Sequence, residues 1–534
     1  MFKRTTTTTP TPTYIHDRLS YLWLALAAIL TLFIWGQWII PLAAWLAPMF
    51  LLRFVRTQRV LPGLLLAWLV KSVISAITQQ GIIMIPGVGY YVIVVLVSLV
   101  TVLPYLADRL LAPRLGGFIA TLVFPVTFTA YEYLSSFSSF GTLNSIANTQ
   151  YGNLPLMQLV SVTGIWGITF LIAWFASVIN WGWERGFAWP HVRRGGLLYA
   201  AILAVILLGG GARLTLSPPQ ASLVRIVGLS ASQSAVTAFN QQLPSATISL
   251  LLSGKATQAD RALAHTAFAT LDNDMLARTQ QEARAGAKIV VWPEASRVGA
   301  NVLQEDVPAL IQQASTLAQQ TDIYLDMGLG VFLPDSGNGP FLKDESVLLD
   351  PTGHVVWTYE KTHLVPFGEQ GVVVQGDGKV PTVETPYGLL AGVICFDADY
   401  PAMMRQGGQA GVDLMLVPGN DWQAIDPQHT HDATFRAIEN GYSLVRQASE
   451  GLSMAVDYEG RVLASSDYYT TGQQVMVAYM PMHGVYTIYS TIGDLFAWLC
   501  IIGLLALTGL AIMRSRKRSS VPTATPLPEP QPTH

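Results

Sequence analysis

Hydrophobic positions are spread very unevenly along this chain. A helix needs about 20 residues to cross about 30 Å of hydrocarbon, and apolar runs near that length crowd the first two-fifths of the sequence and recur once near its end. Eight are read: Tyr21–Ile34, Trp38–Phe54, Val60–Ile77, Ile82–Leu106, Gly117–Leu134, Leu154–Trp181, Leu197–Gly211 and Ile492–Met513, the first and seventh being short. Between 221 and 482 the pattern changes. Short apolar runs alternate there with charged stretches and with Gly, Pro and Asp punctuation, as in an α/β domain. The chain therefore divides into a tail (1–20), a seven-span region (21–212), an α/β domain (221–482), an eighth span (492–513) and a basic, Pro-rich tail (514–534). The Thr/Pro-rich segments Thr5–Thr13 and Ser519–His534 are expected to be disordered.

Charge orients this pattern. Lys and Arg near span ends are retained on the cytoplasmic side. Lys3, Arg4 and Arg18 precede the first span, and Arg53, Arg56, Arg59, Arg109, Arg114, Arg185, Arg193, Arg194 and Arg514 to Arg518 follow even-numbered spans, whereas 78–81 and 135–153 carry no Lys or Arg. Both termini are thus expected inside, with the α/β domain on the outer, periplasmic face of a bacterial-type cell (inner) membrane. Composition agrees: the chain is 51% hydrophobic and 12% charged, against about 25% charged in average soluble chains, which excludes an ordinary cytosolic enzyme. A formal charge of −3 argues against nucleic acid as a partner. The two cysteines, Cys395 and Cys500, imply no disulfide framework.

Three stretches of the α/β domain end an apolar strand on a reactive residue. Lys288-Ile-Val-Val-Trp-Pro-Glu294 places a carboxylate there, Tyr359-Glu-Lys361 an ammonium followed eight residues on by Glu369, and Leu389-Leu-Ala-Gly-Val-Ile-Cys395 a thiol. A free thiol titrates near pKa 8.5, so a carboxylate must accept its proton or a cation must stabilise the thiolate. Glu294 and Lys361 are the candidates, and Lys361 with the N–H after Cys395 could hold an oxyanion.

These motifs resemble the nitrilase-type carbon–nitrogen hydrolases and, within them, the apolipoprotein N-acyltransferases. The resemblance covers the span layout, Trp292-Pro-Glu294, Lys361 to Glu369, Cys395, Pro418-Gly-Asn420-Asp-Trp422, His429, Arg436-Ala-Ile-Glu-Asn-Gly441 and Arg446. It implies a polytopic α-helical membrane domain carrying a nitrilase-type α-β-β-α sandwich. It also implies a Glu294–Lys361–Cys395 triad, with Glu369, Phe396, Asp397, Asn420 and Trp422 in support. The implied reaction moves an acyl chain from a phospholipid, through a Cys395 thioester, to the amine of the diacylglyceryl-cysteine of an apolipoprotein, with no cofactor and no metal. A membrane-tethered amidase is the alternative. The chain departs from the family at Phe396-Asp397, where Tyr-Glu is usual, at the short stretch from Asn420 to His429, and at Ser449, where Asn is typical.

Several residues stay open on the sequence alone. Asp397 reads equally as the cap of a helix over 400–405, and Glu369 as a solvated loop carboxylate. Lys71 and Glu132 lie inside apolar spans, where ionisable groups are costly. Lys71 is expected to line the bundle or pair within it, and Glu132 to reach water. Trp35, Trp38, Trp181, Trp183 and Trp498 are expected to mark membrane interfaces.

Overall fold

The computed structural model describes residues 17–36, 38–216, 222–334, 339–471 and 475–519. Thr5–Thr13 and 520–534, the bulk of the two expected tails, lie outside the described residues. Order begins before the first span: Asp17 accepts hydrogen bonds from Leu19 N at 2.9 Å, Trp23 Nε1 at 3.1 Å and the Arg53 guanidinium at 2.9 and 3.2 Å.

Each of the eight apolar runs lies on helix. Among the described residues, four helices, Val60–Thr78, Val88–Leu115, Trp189–Leu216 and Leu495–Arg516, are long and apolar enough to cross a membrane. The count rises to five if a bent pair, Leu154–Thr163 with Trp166–Trp183, is one span. The first, second and fifth runs lie on shorter helices, Ser20–Thr31, Pro41–Thr57 and Val123–Ser135, of 12, 17 and 13 residues, and two more runs differ from expectation in shape. The seventh is a 28-residue helix rather than a short one; Pro190 occupies its first turn, where a missing N–H costs nothing. The sixth is broken by a 115° bend, because Gly164 adopts φ +63°, a left-handed conformation that stops the helix. Glu439 of the α/β domain receives the Ile165 N–H at the break, at 2.9 Å.

The helix Pro41–Thr57 packs among the others with two arginines inside. Arg56 donates to both Asp108 oxygens at 2.8 and 2.7 Å and to Glu184 at 3.1 Å, since a buried guanidinium needs partners. Glu132, expected to reach water, is buried instead. Its carboxylate accepts from Ser145 Oγ at 2.8 Å, Ile146 N at 2.9 Å and Thr169 Oγ1 at 2.7 Å, tying the loop after its helix back onto the bundle. Lys71 and Glu132 line one cavity of about 130 Å³. Cys500 is packed against Val123 and Val126.

The described residues of the α/β domain hold thirteen strands: β1 (Leu223–Leu229), β2 (Ile289–Val291), β3 (Ala300–Leu303), β4 (Tyr324–Phe332), β5 (Leu342–Leu349), β6 (Val355–Glu360), β7 (Thr382–Thr385), β8 (Gly388–Gly392), β9 (Leu414–Gly419), β10 (Ser443–Ala448), β11 (Leu452–Val456), β12 (Val462–Asp467) and β13 (Val475–Pro481). One sheet runs β13-β1-β2-β4-β5-β6 with β3 beside β4, the other β12-β11-β10-β9-β8-β7. The central pairs β1–β2, β2–β4, β8–β9 and β9–β10 are parallel. Strand alternation builds two cores. Ile226, Ile289 and Val291 meet Leu390, Leu414 and Leu416 between the sheets, while Val227, Leu229 and Val290 face the helices Gln258–Arg284 and Val307–Thr321. Both faces are covered, so β2 reads as an unbroken apolar run. On the far side of the second sheet, the helix Gln428–Asn440 packs Ala433 and Ala437 against that sheet, and Phe435 and Ile438 against the membrane helices. One helix thus belongs to both domains.

Candidate active site

The reactive residues follow strands: Glu294 after β2, Lys361 after β6, Cys395 after β8, and Asn420 and Asp421 after β9. In parallel sheets this end of the strands is where ligands bind. Lys361 is fully buried, and its Nζ lies 2.6 Å from Glu294 Oε1, 2.7 Å from Glu369 Oε1 and 3.4 Å from Asp344 Oδ2. Burial works against the ammonium, but the charges of Glu294 and Glu369 hold it protonated well above the usual lysine range. Glu369 also accepts from Val365 N at 2.8 Å, so it is fixed on Lys361 rather than solvated in a loop.

Asp344, on β5, is the residue that sequence reading missed. The carboxylates of Glu294, Asp344 and Glu369 lie within 4.8 Å of one another. Burial and the neighbouring Glu294 push Asp344 well above the carboxylate range, so it holds a proton. Glu294 goes the other way: burial opposes its charge, yet Lys361 and a hydrogen bond from Asp344 keep it below its ordinary value. Two like acids in one pocket split into a proton holder and an anion. The only signal in the sequence was the charged triplet Lys343-Asp344-Glu345 inside a strand.

Cys395 opens the short 3₁₀ turn Cys395–Asp399 at φ +47°, a conformation that non-glycine residues rarely adopt and that clusters at functional sites. Its Sγ lies 3.7 Å from Asn420 O and 4.0 Å from Arg446 Nη2. Burial and the charge of Glu294 raise its pKa well above the free-thiol value, against the pull of Lys361 and Arg446. The resting sulfur is a thiol beside an ionised carboxylate.

Asp397 does not cap the following helix: that helix is Pro401–Ala410, and Tyr400 sits at its N-cap. Fully buried, Asp397 accepts from Tyr359 Oη at 2.7 Å, His363 N at 2.7 Å and His363 Nδ1 at 2.9 Å. These bonds clamp the Cys395 turn to the Tyr359 hydroxyl and to His363, on either side of Lys361. Phe396 is buried against Tyr400, with ring centroids 5.7 Å apart at 89°. Asn420 Oδ1 accepts from Ser449 Oγ at 2.8 Å. Trp422 reaches outward, its Nε1 donating to Gly81 O in a loop of the membrane domain at 2.7 Å.

Behind Cys395 runs a chain of buried charges. Asp399 and Asp421 each lie 2.6 Å from His429, and Arg446 lies 2.6 Å from Asp421. Against the cost of burial, the two aspartates raise His429 to about 9. Cys395, Asp421 and His429 are close enough to hold a cation, but Arg446 already supplies the positive charge to Asp421. In the same way the Lys361 ammonium fills the cation position among Glu294, Asp344 and Glu369. The site meets the membrane domain directly, because Thr142 N and Oγ1 donate to Asp399 O at 2.9 and 2.7 Å.

Residues 256–488 match the carbon-nitrogen hydrolase family, and residues 16–178 match the apolipoprotein N-acyltransferase N-terminal domain. The second match covers the helical half, which a soluble hydrolase lacks. The chain belongs to the apolipoprotein N-acyltransferase family. Curated apolipoprotein N-acyltransferases include that of Geobacter metallireducens, 26% identical over 74% of this chain and 75% of the relative. Those of Agrobacterium fabrum and Rhodopseudomonas palustris are each 28% identical, over 67% and 64% of this chain. The aligned stretches span 66% and 64% of those two relatives' own lengths. Among solved structures, an amidase from Nesterenkonia sp. aligns with 52% of this chain and 97% of its own at 19% identity and a TM-score of 0.37.

Proposed function

We propose that this apolipoprotein N-acyltransferase family member moves an acyl chain from a membrane phospholipid, through a thioester on Cys395, to the free α-amine of a diacylglyceryl-cysteine on an apolipoprotein. The observation that carries the reading is the buried cluster of Glu294, Lys361 and Cys395, with Lys361 Nζ 2.6 Å from Glu294 Oε1, set against the membrane domain. Glu294 takes the Sγ proton as sulfur attacks the ester carbonyl. Lys361 and the Phe396 N–H steady the oxyanion, a type of contact worth about 10²–10³ in rate for each donor. Collapse expels the lysophospholipid, whose oxygen takes the proton from Glu294. The acceptor amine then attacks the thioester, passes a proton to Glu294, and leaves as an amide while Cys395 regains its thiol. Glu369 holds Lys361 in place, and Asp397 fixes the Cys395 turn. The orientation is part of the proposal: the α/β domain faces the outer side, and both termini face the cytoplasm.

Purified protein incubated with phospholipid alone should acquire one acyl mass on Cys395, removable by hydroxylamine, and Cys395→Ser should acquire none that transfers. Absence of the adduct, together with release of ammonia from simple amides, would put a tethered amidase in its place.

A further inference from the structure

The membrane domain has a second built cavity, at the end away from the catalytic residues. The helix Trp166–Trp183 begins beside Glu439 of the α/β domain and runs 18 residues, about 27 Å at 1.5 Å per residue. At its far end lies a cavity of about 220 Å³ walled by Arg56, Asp108, Arg109, Trp181, Glu184 and Arg185, among others. None of these groups takes part in the proposed reaction.

The wall has more positive charge than its own acids neutralise. Both carboxylates, Asp108 and Glu184, are engaged by Arg56. Arg109 donates through Nη2 to Gln58 O at 3.0 Å, and Arg185 through Nη1 to Trp181 O at 3.0 Å; among the described residues, neither pairs with a carboxylate. The Arg185 guanidinium lies 4.5 Å over the Trp181 ring, which holds it at the cavity without consuming its charge. Two buried donors in the wall, Arg109 Nε and Trp181 Nε1, have no acceptor among the described residues, although Trp181 is only 8% exposed. Buried donors are rarely left unpaired. The cavity is therefore short of acceptors and of negative charge, and one group with several anionic oxygens would supply both.

We propose that this cavity binds the phosphate of an anionic phospholipid from the leaflet opposite the catalytic domain. The excess guanidinium charge selects a lipid of net negative charge over a zwitterionic one, and the location, between helix ends of a membrane protein, favours a headgroup over a free ion. The proposal is independent of the reaction at Cys395.

The test uses the full-length protein in detergent, titrated with phosphatidylglycerol, phosphatidylcholine or inorganic phosphate, with bound lipid counted by native mass spectrometry and thermal unfolding followed in parallel. Phosphatidylglycerol should bind and raise the unfolding temperature more than phosphatidylcholine. Arg109→Gln should weaken its binding about tenfold, the cost of one charge-assisted hydrogen bond. Trp181→Phe, which keeps the ring and loses only the N–H, should weaken it by a smaller factor while unfolding as the wild type does without lipid. Arg194→Gln, a neighbouring exposed arginine, should leave it unchanged. Equal binding of both lipids, an unchanged Arg109→Gln, an Arg194→Gln loss as large as that of Arg109→Gln, or full stabilisation by inorganic phosphate alone would each overturn the proposal.

Discussion

Two acids share the Lys361 pocket, and the proposed chemistry depends on their being unequal. Lys361 holds the Glu294 carboxyl below its ordinary value, while burial and Glu294 push Asp344 well above its own, so the same carboxyl-to-amide change should have unequal effects at the two positions. Glu294→Gln removes the proton acceptor and should slow acyl-enzyme formation by about 10²–10⁴. Asp344→Asn still donates a hydrogen bond and should stay within about threefold of wild type. Quench-flow measurement of the hydroxylamine-sensitive adduct checks both; comparable losses would mean that Asp344 is charged and that the division of roles is wrong. The sequence made the first acid legible and hid the second. Glu294, Lys361 and Cys395 each end an apolar strand, a local pattern that needs no knowledge of pairing. Asp344 reaches the site only because β5 pairs with both β4 and β6, and register is not written in any one segment. The role of Asp397 stays open on the sequence for the same reason: its partners Tyr359 and His363 are 38 and 34 residues away.

At the level of elements, the break at Gly164 is the feature that hydropathy could not reveal, since the apolar run continues through it. Its φ of +63° admits glycine readily, and a Cβ there would come within 2.7 Å of the Tyr489 ring. Gly164→Ala should therefore destabilise the protein by about 1–3 kcal/mol, through backbone strain and the clash together. A guanidinium-free thermal unfolding series in one detergent would measure it, and a shift no larger than that of Gly209→Ala, where a Cβ meets nothing within 4 Å, would show that the bend tolerates a side chain. The strands that lead to Glu294, Lys361 and Cys395 are legible as short apolar runs ending on a reactive residue, whereas long apolar runs look alike whether they cross a bilayer, pack inside the bundle like Pro41–Thr57, or bend.

Across the whole molecule, geometry and charge give independent grounds for one topology. Gln79 Nε2 donates to Asn144 Oδ1 at 3.3 Å, and nearby Thr142 touches Asp399, which places these two loops on the side of the α/β domain. Arg193 lies toward the opposite end, as the fifth residue of the helix that climbs to that domain. Reporter fusions after Asn144 and Lys379 should therefore agree with each other and disagree with one after Arg193, and the basic loops predict that Arg193 reports cytoplasm. Agreement of all three would mean that the helices between them do not traverse the membrane.

The two hydrogen bonds from Thr142 to Asp399 O, with Phe435 and Ile438 buried among membrane helices, make this a molecule without a detachable catalyst. Removing the helices would strip the support from the turn that presents Cys395 and lay bare an apolar helix face. A gene fragment encoding only the α/β domain would be unsuited to evolve into, or be engineered as, a soluble hydrolase without first acquiring a new surface there. The membrane helices form part of the wall behind the Cys395 turn, so that whatever perturbs the bilayer around them has a short mechanical path to the sulfur.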